Sequence, residues 1–215
     1  MPHFIPQLPV IAAFGLATLV LAITPGPDMA LFISRTINHG RIHGLMSVAG
    51  AISGLFLHSL LAAFGISLLL ATAPAAFLAL KITGALYLLW LALRALRAGE
   101  SLSLGQGRKK PPSLLKTYLT GLGINLTNPK IILFFLTFLP QFVSASDPDA
   151  SAKLLFLSAE FILISVPVVC VIVLLAHSIA AVLINSARAR KILNWSFAAV
   201  FATFAATILA LESRR

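Results

Sequence analysis

Long apolar runs separated by short polar joints dominate the chain, and six of them meet or approach the ~20 residues that a membrane-crossing helix requires. They fall at about 8–33, 44–70, 74–97, 114–140, 154–177 and 191–211. The pattern predicts an all-α integral membrane protein with six transmembrane helices. The first and fourth runs are longer than a straight span needs, and each is interrupted, by "TPGPD" at 24–28 and by "TNPK" at 127–130. A proline inside a helix removes an amide donor and collides with the preceding turn, yet it fits the first turn of a new helix. Both runs are therefore expected to end and restart near the membrane midplane. Thr24 or Gly26 is the expected cap and Pro27 the first-turn residue of one half-helix; Asn128 and Pro129 take those places in the other.

The two interruptions resemble one another. "ITPGPDMALFI" and "LTNPKIILFFL" share an aliphatic residue, a polar cap, proline, a charge and an apolar half-helix, with Pro25 and Pro129 separated by 104 residues. With three spans in each half, the second half enters the membrane in the opposite sense to the first. This predicts two inverted three-helix repeats, a design of many secondary transporters. The expected organisation is a first repeat at 1–98, a cytoplasmic linker rich in Gly, Ser, Pro and Lys at 99–113, and a second repeat at 114–215.

Composition agrees, since 59% of residues are apolar and only 10% charged, against about a quarter charged in soluble domains. The net charge of +10 changes the picture only through its placement. Arg35 and Arg41 follow the first run, Arg94, Arg97, Arg108, Lys109, Lys110 and Lys116 surround the third joint, and Arg188, Arg190 and Lys191 precede the last run. Such clusters orient helices, with basic joints on the cytoplasmic side, and form no groove for nucleic acid. Both chain ends are then expected to be periplasmic, with Arg214 and Arg215 against the trend.

Buried charge directs attention to the breaks. Asp28 sits near the positive end of its half-helix, whereas Lys130 opposes the dipole of its own and requires a partner elsewhere, such as Asp28 or a ligand carboxylate. Each charge costs about 2.5–3.5 kcal/mol at a helix centre on insertion scales. The sequence supports two readings of the pair, a midplane site for a small zwitterion or a structural ion pair joining two broken helices. Asn125 and Asn128 lie one turn apart at the second break, with amides for loose backbone groups or a ligand. His58, Lys81 and Glu160 are further polar groups within spans; Lys81 and Glu160 are placed to pair with each other or to snorkel, and Pro167 to kink its helix. Lys130, Phe134, Thr137, Phe138 and Gln141 follow helical spacing, as either a substrate path or simple packing. "GAISG" at 50–54 is a small-residue pattern for close helix approach and also permits a homodimer.

These motifs together resemble the LysE/RhtB amino-acid exporters, and the RhtB-like branch in particular. The similarity rests on "TPGPDMALFISRTINHGRIHGLMSVAGAISG" at 24–54, "LKITGALYLLWLALRALR" at 80–97 and "NPKIILFFLTFLPQFV" at 128–143. The resemblance implies efflux of amino acids or close derivatives across a bacterial inner membrane, coupled to protons, with no cofactor. It carries over to Thr24, Pro25, Gly26, Pro27, Asp28, Asn128, Pro129 and Lys130, and to Lys81 within the matching third span. Of the other classes, a nucleotide-driven pump is excluded by the lack of GxxxxGK[ST], and a thiol electron carrier by the single Cys170. A passive channel or a membrane enzyme is the alternative, and an enzyme would need a catalytic constellation that the sequence does not display.

Overall fold

The computed structural model describes residues 4–24, 26–66, 68, 72–97, 110–144 and 147–212. The helices among them are α1 (Leu8–Ile23), α2 (Pro27–His39), α3 (Arg41–Leu60), α4 (Pro74–Arg97), α5 (Leu114–Thr127), α6 (Pro129–Leu133), α7 (Ala150–Leu174), α8 (Ala176–Asn185) and α9 (Ala187–Glu212). No strand occurs among the described residues. Helix α3 continues into a π-helical turn at Leu61–Ile66, and α6 into a π turn at Phe134–Phe138 and a 3-10 turn at Leu139–Phe142.

Two elements are each long and apolar enough to cross a membrane, Arg41–Gly65 and Ala150–Leu174. Two bent pairs pass the same test when taken together, α1 with α2 and α5 with Pro129–Phe142, and both bend by 48°. The predicted interruptions are thus real breaks, placed where proline deletes an amide and starts a new helix. The expected linker lies largely outside the described residues.

Several boundaries differ from the sequence pattern. Helix α2 runs on to His39, so Arg35 lies within it rather than after it; the joint comes at Gly40, whose φ of 88° suits glycine. A separate helix, α8, stands between the fifth and sixth apolar runs, where hydropathy alone marks no division. Pro167, expected to kink its helix, lies inside α7.

Small residues set the tightest seam, that between α3 and α5. A Cβ on Gly50 would lie 2.0 Å from the Tyr118 carbonyl oxygen, and one on Gly121 would lie 2.1 Å from that of Ser47. The "GAISG" pattern is accordingly a backbone-to-backbone crossing within the chain. Tyr118 Oη donates to Ser53 Oγ at 2.7 Å, and Thr117 Oγ1 meets His43 Nδ1 at 3.1 Å along the same seam. Elsewhere α1 packs on α7, α7 on α3, and α4 on α9. The largest apolar cluster gathers Phe14, Phe134, Phe135, Phe138 and Phe161, with ring centroids 4.9 Å apart for Phe134 and Phe161.

Candidate substrate site

Both helix breaks meet in the interior. At the first, Gly26 is the N-cap of α2 and Pro27 its first residue, followed by Asp28. Thr24 caps the end of α1 instead, its hydroxyl donating to the Val20 carbonyl at 2.6 Å. Pro25 lies outside the described residues. At the second break, Asn128 Oδ1 accepts from the backbone N–H of Lys130 at 3.0 Å, and Pro129 opens α6 as its first residue.

Asp28 and Lys130 occupy equivalent places, each directly after the proline that opens its half-helix. Each bonds across to the helix that precedes the other break. Lys130 Nζ donates to the carbonyl oxygens of Thr24 at 2.9 Å and Leu21 at 3.2 Å. These are end groups of α1, where a helix lacks its own donors and carries negative partial charge. The dipole argument that required a partner for Lys130 is met by the C-terminus of α1, a partner the sequence does not announce. Gly26 makes this passage open, since a Cβ there would stand 3.3 Å from Lys130 Cε.

Asp28 Oδ2 accepts from Asn125 Nδ2 at 2.9 Å. Asn125 is placed by Gly54, whose missing side chain leaves the space its amide fills; a Cβ there would lie 2.5 Å from Asn125 Oδ1. The Asn125 carbonyl accepts from the Asn128 N–H at 3.1 Å and faces His58 Nε2 at 3.4 Å. A carbonyl only accepts, so that ring nitrogen carries hydrogen. His58 thus braces the end of α5 and touches the Phe135 ring, with centroids 5.7 Å apart.

A cavity of about 50 Å³ opens beside this crossing, several times the ~10–15 Å³ that a single water needs. Asp28, Asn125, Lys130 and Ser165 supply its polar lining; Met29, Phe32, Ile52, Leu55, Phe161 and Val169 are among its apolar walls. Asp28 Oδ1, Asn125 Oδ1 and Ser165 Oγ are buried with no protein partner among the described residues. Orphaned polar atoms of this kind are costly, and natural proteins retain few of them without a reason.

Other expected site residues lie apart from this cavity. Phe134 and Phe138 stack in the aromatic cluster, with centroids 5.1 Å apart, in keeping with the packing reading of that stripe. Gln141 Nε2 donates to the Thr137 carbonyl at 2.9 Å. Glu160 is half-buried against Gly15 of α1, and Phe161 and Ser165 take its helix into the cavity wall. Lys81 lies on α4, but its side chain falls outside the described residues, and with it the expected pairing with Glu160. Sequence reasoning missed Ser165 and the carbonyls of Leu21 and Thr24. Ser165 had a signal, being a hydroxyl two residues before Pro167 in an otherwise apolar stretch.

The homoserine/homoserine lactone efflux protein of Salmonella typhimurium is 32% identical over 189 residues, 88% of this chain and 90% of that protein. A leucine efflux protein of Klebsiella pneumoniae is 32% identical over 198 residues, 90% of this chain and 91% of its own. One of Enterobacter sp. is 28% identical over 195 residues, 89% and 91% respectively. No solved structure matches the chain. The sequence profile described as "LysE type translocator" matches residues 19–212, which include both helix breaks and every polar residue of the cavity. The chain belongs to the LysE type translocator family, whose members are membrane transporters and not enzymes.

Proposed function

We propose that the chain exports neutral amino acids or close derivatives across the bacterial inner membrane by proton antiport, with Asp28 as the shared site for proton and cargo. The observation that carries this reading is Asp28 Oδ1, a buried carboxylate oxygen with no hydrogen bond among the described residues, at a cavity between two broken helices. A carboxylate oxygen left without a donor suits an ammonium group. Homoserine, its lactone and leucine, named for the relatives, share that ammonium, while the lactone has no free carboxylate. A proton and an ammonium each neutralise the same carboxylate, so occupancy by one disfavours the other. Exchange at a single group then couples inward proton movement to outward cargo movement.

The membrane arrangement in this reading is six spans in two inverted repeats: α1 with α2, α3, α4, α5 with α6, α7, and α9. Support comes from the reciprocal contacts, since α3 packs on α5 as α7 packs on α1, and α4 packs on α9. Basic joints place both chain ends in the periplasm. The halves rock about the crossing of the two breaks, which gives alternating access. Lys130 holds that crossing together, and its remaining N–H is left for a ligand carboxylate.

Proteoliposomes holding the purified chain test the proposal. A pH gradient of the inward-proton sense is expected to drive uphill movement of homoserine or leucine, and Asp28→Asn to abolish it with the protein still present in the membrane. Movement that only ever dissipates a cargo gradient, or coupling that survives in Asp28→Asn, overturns it.

A further inference from the structure

The helical hydroxyls of this chain share one habit, and Ser165 departs from it. Thr36, Ser59, Thr137 and Ser158 are buried and each donates to the carbonyl four residues earlier, at 2.7, 2.8, 2.7 and 2.7 Å. This internal bond is the ordinary way for a helical serine or threonine to satisfy itself away from water. Ser158 does so two turns earlier on α7 itself. Ser165 is only 6% exposed, lines the cavity, and its Oγ has no partner among the described residues. Thr18 shares the lack of a partner but is not part of the cavity wall.

Asp28, Asn125 and Lys130 all belong to the two helix breaks, whereas Ser165 is contributed by α7. Its neighbours on that wall, Phe161, Val166 and Val169, are apolar. A ligand anchored by its ammonium at Asp28 therefore meets hydrocarbon and one unpaired hydroxyl with the rest of its body. We infer that Ser165 is a specificity-determining contact that recognises an oxygen on the cargo side chain, favouring hydroxylated or lactone-like amino-acid derivatives over aliphatic ones. A hydroxyl both donates and accepts, so either a hydroxyl or a carbonyl oxygen satisfies it. The inference rests on the amino-acid export reading and adds to it the side chain that the site selects.

Homoserine and norvaline are the probe pair, because they differ by a hydroxyl against a methyl at the same position. Both are loaded into proteoliposomes, and the ratio of their export rates is measured for the wild type, Ser165→Ala and Ser165→Thr. The wild type is expected to favour homoserine. Ser165→Ala lowers the ratio roughly five- to tenfold, the scale of one neutral hydrogen bond, and Ser165→Thr keeps it. Ser165→Cys, similar in shape but a weak donor, lowers the ratio in the same sense and serves if the alanine variant fails to assemble. An unchanged ratio overturns the inference, as does an equal loss for both cargoes, which marks a contact to the shared carboxylate or to structure. Failure of the wild type to move either cargo is a different result and overturns the export reading itself.

Discussion

Lys130 shows how the meaning of a buried charge depends on what it touches. Its bonds to the Leu21 and Thr24 carbonyls make it a capping group for α1 that happens to reside on another helix. Removing it strands the buried Thr24 carbonyl, at about 1–3 kcal/mol, whereas the Leu21 carbonyl still accepts from the Thr24 N–H at 3.1 Å. Lys130→Met is therefore expected to lower the stability of the purified protein by roughly 1–3 kcal/mol, seen as an earlier thermal transition in detergent. Asp28→Asn, which loses no packing and keeps an acceptor for Asn125, is expected to shift that transition much less while abolishing coupled export. A variant pair with the reverse ranking would contradict the division of labour between the two charges.

Among the elements, the breaks were legible because proline chemistry is local: Pro27 and Pro129 each open a half-helix wherever the rest of the chain lies. The small-residue crossing was legible for a similar reason, since glycine spacing on one helix records how near another backbone comes. What remained hidden depends on partners distant in sequence. Nothing near Lys130 in the chain announces the end of α1, and the place of Ser165 two residues before Pro167 does not say which distant side chains share its cavity. Two glycines of α5 allow a matched test of the crossing. A Cβ at Gly121 would meet the Ser47 backbone, whereas one at Gly123 meets nothing within 4 Å. Gly121→Ala should cost about 1–3 kcal/mol through overpacking, and Gly123→Ala should gain roughly 0.5–1 kcal/mol from helix propensity. Parallel thermal unfolding of the two variants checks the opposite signs.

For the molecule as a whole, polar groups inside serve the crossing of the breaks while those outside secure the joints. In the joint before α7, the Asp147 carboxylate accepts from Lys153 Nζ and from the Asp149 backbone N–H, and these bonds hold it below the usual carboxylate range. A depressed folded-state pKa stabilises the fold above the unfolded value, about 3.9 for aspartate, and the benefit fades as pH falls through the folded one. Wild type is thus expected to unfold at higher temperature than Asp147→Asn at neutral pH, with the gap closing in acid below about pH 4. A gap that widens on acidification would refute the assignment.

Asn125 reaches Asp28 only because position 54 carries no side chain. A single methyl there would push the amide off the carboxylate without adding any atom to the cargo's surroundings. Gly54→Ala is thus expected to weaken the contact between Asn125 and Asp28 from a position that is not part of the cavity lining.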